Sequence, residues 1–109
     1  MFNANDVILI NRIVGEEGLV IKPNELHSAF ASLDYIEELE LKVAYVVRSV
    51  MQNHPFKDGN KRTGVCLLVA GLSSLGIKIS KTDEEFIHFV TTSVTQHWSP
   101  EQILEWAKS

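Results

Sequence analysis

Apolar and polar positions follow a helical rhythm along almost the whole chain. Val7, Ile10 and Val14 recur at helical spacing and predict a helix over 4–14, with Gly15 as its stop. After the connection GEEGLVIKP, the residues Leu26, Ala29, Phe30 and Leu33 share one face, which predicts a helix over 23–33 with Pro23 in its first turn. Residues 36–53 begin with acidic side chains, as a first helical turn prefers, and carry Leu39, Val43, Val46, Val47 and Val50 on one side. Pro55 disfavours helical geometry at His54 and ends that helix. From 60 to 75 the chain is apolar nearly all round, the mark of a helix buried at the centre of a domain, and Gly76 closes it.

The stretch IKIS at 77–80 reads equally as a brief extended piece or a connector. Thr82 with Glu85 three residues later is a capping box, and Phe86, Phe89, Val90 and Val94 form the apolar stripe behind it. Ser99, Pro100 and Gln102 repeat the device, with Ile103 and Trp106 or Ala107 facing inward. Five or six helices with at most marginal strand predict an all-α orthogonal bundle.

Composition narrows the class. A chain of 109 residues, 45% hydrophobic and 22% charged, suits one folded domain over 1–109. A net charge of −4 argues against a protein that coats nucleic acid, because that affinity comes from Lys and Arg neutralising phosphates. Cys66 is the only cysteine, which removes an internal disulfide and a cysteine-built zinc site and suits a reducing compartment. The start MFNANDVILINR has no basic segment leading into a long apolar one, so no signal peptide is expected. No run approaches the roughly 18 apolar residues of a membrane span. The expected location is the cytoplasm.

One stretch breaks the rules of helix construction. HPFKDGNKRTG, residues 54–64, places Lys61 and Arg62 in the first turn of the predicted central helix, where the macrodipole is already positive. The unpaired N–H groups of that turn also ask for an anion. A plain surface turn explains Pro55, Asp58, Gly59 and Asn60, yet leaves His54 and both cations without a purpose. A glycine-bearing loop running into a helix N-terminus instead lets N–H groups approach phosphate oxygens, while Lys61 and Arg62 add charge. Asp58 then suits Mg²⁺, which needs few protein carboxylates because it keeps waters and takes substrate phosphates. Histidine is the residue type best able to accept a proton near neutral pH, so His54 is a candidate general base. Phe56 is expected to anchor the loop in the core. The phosphate loop G-x-x-x-x-G-K-[ST] is absent.

These residues resemble the signature of the Fic/Doc superfamily, H-x-F-x-[DE]-[GA]-N-[GK]-R, with His54, Phe56, Asp58, Gly59, Asn60, Lys61 and Arg62 all in register. The resemblance implies the compact helical Fic fold, with the motif loop between two buried central helices. It makes His54 the general base, Asp58 the Mg²⁺ ligand, Gly59 and Asn60 the anion-holding turn, and Lys61 and Arg62 the groups that hold nucleotide phosphates. Lys61 stands where AMP-transferring Fic proteins usually have Gly, and Val65 where they have a second Arg. Both are similar to the Doc branch, which implies a toxin kinase passing the γ-phosphate of ATP to a hydroxyl of a target protein. The known target of that branch is elongation factor Tu, and its known regulator is the antitoxin Phd.

Other chemistries stay open beside this one. The same anion site suits transfer of AMP or phosphocholine, and a binding module that keeps the motif as a relic is the third alternative. NELHSAFASLDY resembles a segment that many Doc-like proteins follow with a longer insertion carrying a flap, so a short or absent flap is expected. The inhibitory pattern [ST]-x-x-x-E-[GN] finds only Ser80 with Glu84, followed by Glu85, which implies control by a separate antitoxin. His27, His88 and His97 lack metal-ligand spacing and are expected at the surface. Trp98, Trp106 and Cys66 are expected in packing roles.

Overall fold

Helix follows helix from one end to the other in the computed structural model, which describes residues 2–109: α1 (Ala4–Ile13), α2 (Pro23–Ala31), α3 (Leu39–Asn53), α4 (Asn60–Ser74), α5 (Asp83–Thr95) and α6 (Pro100–Lys108), with a 3₁₀ turn at Ser32–Tyr35. Among the described residues there is no strand, only a single antiparallel backbone bridge between Val20 and Phe56. The all-α bundle predicted from periodicity is the fold observed. IKIS forms no regular element, although Ile77 and Ile79 lean on the core.

The predicted capping boxes open α5 at Thr82 and Glu85 and α6 at Ser99 and Gln102. A third opens α1, where the Asn3 side chain accepts from the Asp6 N–H and the Asp6 carboxylate accepts from the Asn3 N–H. Two boundaries differ from expectation. The helix predicted over 23–33 tightens at Ser32 into the 3₁₀ turn, which still buries Leu33. The helix predicted from 36 begins at Leu39, because Ile36 and Glu38 are extended and only Glu40 remains as an acid in its first turn.

The centre of the bundle is the pair α3 and α4, the most extensively packed of all. Val43, Val46, Val47, Val50 and Met51 of α3 meet Leu67, Leu68 and Leu72 of α4, and Val7, Leu26, Phe89 and Ile103 close the cluster from the other helices. Each such side chain stabilises by about 1.5–3 kcal/mol when fully buried. Two glycines set how closely the pair approaches. A Cβ on Gly64 would stand 2.3 Å from Met51 Cγ, and one on Gly71 would stand 2.7 Å from Val43 Cγ1. Wholly apolar though it looks, α4 has one open side. Val69 and Ala70 are exposed there, since α1 and α3 cover the helix while α5 touches it lightly.

The aromatic residues pack as expected. Phe89 stacks on Trp106 with centroids 4.1 Å apart, Phe86 meets the same indole edge-on at 5.5 Å, and Trp98 meets Phe89 at 5.9 Å. Together they fasten α5 to α6. Among the described residues no helix is long and apolar enough to cross a membrane.

Candidate active site

The loop from 54 to 59 is fixed from both ends. His54 leaves α3 in the left-handed conformation, φ 52° and ψ 59°, which turns the chain sharply away and leaves the imidazole exposed. Left-handed rather than extended, this residue satisfies the ban on helical geometry before Pro55 in a way the sequence rule does not specify. Phe56 is fully buried, the anchor that was expected. Its N–H donates to Asn60 Oδ1 at 2.9 Å and its carbonyl accepts from Asn60 Nδ2 at 3.0 Å, so the Asn60 side chain closes the loop on itself. Only the main-chain N–H of Asn60 is left to face an anion. Gly59 then enters α4 at φ 74°, where a side chain would be strained and a Cβ would lie 2.5 Å from Glu16 Cγ.

The connection between α1 and α2 runs alongside and holds the loop by its backbone. Lys57 donates its N–H to the Leu19 carbonyl at 2.9 Å, and Ile21 and Lys22 donate to the Pro55 carbonyl at 2.8 and 3.1 Å. Beneath it lies Asn11, a buried residue that sequence reasoning did not single out. Its Nδ2 donates to the Asp58 carbonyl and to Thr63 Oγ1, both at 3.0 Å, and its Oδ1 accepts the Gly18 N–H at 2.8 Å.

The two cations of the first turn have different surroundings. Arg62 donates to the Glu16 carboxylate and, at 3.2 Å, to the Val14 carbonyl at the end of α1. Its charge is answered by a carboxylate and by the negative end of a second helix. Glu16 also escaped the sequence reading, because nothing local in GEEG points to a partner far along the chain. Lys61 is exposed and makes no hydrogen bond or ion pair among the described residues. No acidic residue lies within the first turn of α4, and no side-chain cap serves it.

Around this helix start lies an open cavity of about 340 Å³, lined by His54, Lys57, Asp58, Gly59, Asn60, Lys61 and Arg62. Every candidate site residue named from the sequence borders it. Among the described residues no three of His, Cys, Asp and Glu gather as a ready-made metal cage. Asp58, a single exposed carboxylate beside unpaired N–H groups and Lys61, has the chemistry for an ion that draws its remaining ligands from water and phosphates. His27, His88 and His97 are exposed and border none of this.

The Fic/DOC family model matches residues 2–72, about two-thirds of the chain and the whole of the site. This chain belongs to the Fic/DOC family. Comparison with curated proteins gives no match. Fic/DOC proteins are typically transferases of AMP or phosphate groups that use nucleoside triphosphates, often with Mg²⁺. In this Fic/DOC chain a second cavity, of about 450 Å³, adjoins the first along Lys61 and Arg62. Its walls are mainly apolar, with Val65 and Cys66 from α4 and Phe86, Ile87 and Val90 from α5. Cys66 is thus half-buried in a groove wall rather than enclosed in the core as expected, because α5 stands off from that side of α4.

Proposed function

We propose that the protein is a Doc-like kinase toxin, one Fic/Doc domain over 1–109, which passes a phosphate from a nucleoside triphosphate such as ATP to a hydroxyl side chain of a target protein. The observation that carries this reading is the start of α4: uncapped, free of acids and bearing Lys61, with the His54 imidazole and the Asp58 carboxylate around the same cavity. Phosphate transfer needs positioning and charge stabilisation more than covalent participation by the protein. The N–H groups of Gly59 and Asn60 and the ammonium of Lys61 supply the charge stabilisation, with Arg62 held at the rim by Glu16. His54 accepts the proton of the attacking hydroxyl. Asp58 would hold Mg²⁺, which supplies further neutralisation of phosphate oxygens when bound.

Lys61 and Val65 in place of Gly and Arg are what favour the kinase over AMP transfer. A translation factor such as elongation factor Tu is the target that fits this reading, and an antitoxin resembling Phd the regulator, with the cytoplasm as setting. The apolar groove beside Lys61 offers such a regulator a surface.

ATP labelled at the α- or γ-phosphate, incubated with a bacterial lysate and either the protein or its His54→Ala variant, tests the reading. We expect label from the γ-position alone, with the unmutated protein alone, and a loss of at least about 100-fold in the variant. Label from the α-position would assign AMP transfer instead. No label from either would leave a binding module.

A further inference from the structure

We propose that Asn11, outside the motif and on another helix, is a positioning residue that aims the Gly59 N–H at the bound anion; the proposal rests on the functional reading above. Asn11 is 1% exposed, and its amide donates both hydrogens, to the Asp58 carbonyl and Thr63 Oγ1, and accepts one, from Gly18. The bond that matters is the one to Asp58. No peptide bond among the described residues is cis, and in a trans peptide the C=O and the following N–H point to opposite sides of the chain. Pinning the Asp58 carbonyl inward on Asn11 therefore turns the Gly59 N–H outward. That N–H has no protein partner among the described residues, and Gly59 lines the cavity.

The same bond also holds the backbone from which the Asp58 carboxylate projects. Only an amide can serve. Aspartate matches asparagine in shape and keeps an acceptor for Gly18, but it has no hydrogen to give the Asp58 carbonyl and sets oxygen against oxygen. The freed peptide plane then rotates, and the Gly59 N–H loses its aim. Thr63 separates this role from simple support of the core. Thr63→Val removes an Asn11 partner that is also buried, yet leaves the bond to Asp58 in place.

The test titrates inorganic pyrophosphate with Mg²⁺ into ¹⁵N-labelled protein and follows the Gly59 amide resonance. In the unmutated protein we expect that resonance to move to lower field on binding. In Asn11→Asp it should stay still, with affinity weaker by about tenfold or more. In Thr63→Val it should move as before, with affinity within about twofold and only the melting temperature lowered. A Gly59 response that persists in Asn11→Asp overturns the positioning role while leaving the site reading intact. Failure of pyrophosphate to move any resonance from 54 to 62 in the unmutated protein overturns the site reading, and the proposal with it. Should Asn11→Asp not fold, exchange in the unmutated protein decides. The Asn11 side-chain amide must exchange slowly and the Gly59 amide fast, with the Gly59 amide slowing only when pyrophosphate is added, and the reverse order refutes the inference.

Discussion

Helices α4 and α5 begin in opposite ways. At α5, Thr82 and Glu85 cap each other's backbone and Asp83, Glu84 and Glu85 all sit in the positive first turn. At α4 the turn holds Lys61 and Arg62, carries no acid, and starts from a left-handed glycine without a side-chain cap. Both helices are long, and both contribute to the core. The difference is therefore not one of helix-forming strength. One start is finished by the chain itself; the other is finished in part, by Glu16 on Arg62, while Lys61 has no ion-pair partner among the described residues. An incomplete helix terminus on a rigid pair of helices is the physical form of an anion site.

The sharpest way to break the contrast is to make α4 begin like α5. Lys61→Glu removes a cation from the wrong end and adds a favourable anion, so it should raise stability by about 0.3–1 kcal/mol. It should also cut phosphate transfer by about 100-fold, the scale expected for one stabilising group at the reacting centre. Melting curves and γ-labelled transfer on the same preparation check both halves. A variant that is both more stable and fully active would show that the missing anion has nothing to do with function.

Gly59→Ala strikes the same terminus through its backbone. The left-handed conformation and the contact with Glu16 Cγ should together cost about 1–2 kcal/mol, and nucleotide affinity should fall with it. Thermal denaturation with and without Mg²⁺ and nucleotide separates the two losses. Thr82→Ala gives the mirror result at the completed terminus: a loss of about 1 kcal/mol in denaturant titration, with transfer unchanged.

The smallest effect belongs to the acid limb of the same cap. The hydrogen bond from the Thr82 N–H, followed by that from the Thr82 side chain, holds the Glu85 carboxyl below its ordinary value near 4.5. A carboxyl lowered on folding contributes stability that is present above its unfolded value and lost as pH falls through its folded one. The difference in melting temperature between the protein and Glu85→Gln should thus be constant from neutral pH down to about 4.5 and close below it. A gap that widens in acid would contradict the cap.

What could be read from the sequence divides along the same line. The starts of α5 and α6 were legible because a capping box is complete within four residues. The box at Asn3 and Asp6 escaped because an aspartate replaces the usual longer acid. Acidic residues at 37 and 38 drew the start of α3 too early, since charge alone does not say whether a residue lies inside a first turn or just before it. At the site, His54, Asp58, Gly59, Asn60, Lys61 and Arg62 of the motif line one cavity. Asn11 and Glu16 were not legible, because their partners at the motif, Asp58, Thr63 and Arg62, lie more than forty residues away and only packing of α1 on α4 brings them near. The inward turn of the Asn60 side chain onto Phe56 was hidden for a different reason: a polar side chain in a polar motif gives no sign of which way it faces.

The two glycines between α3 and α4 act as a gauge. His54 stands at the end of one of these helices and Lys61 at the start of the other, so the span between the imidazole and the ammonium is inherited from how closely the helices lie. Gly64 is one turn from Lys61 and buried. A methyl group there would wedge the helices apart, and the first thing to lose its calibration would be the reach of the imidazole across the cavity, at a position that no substrate ever meets.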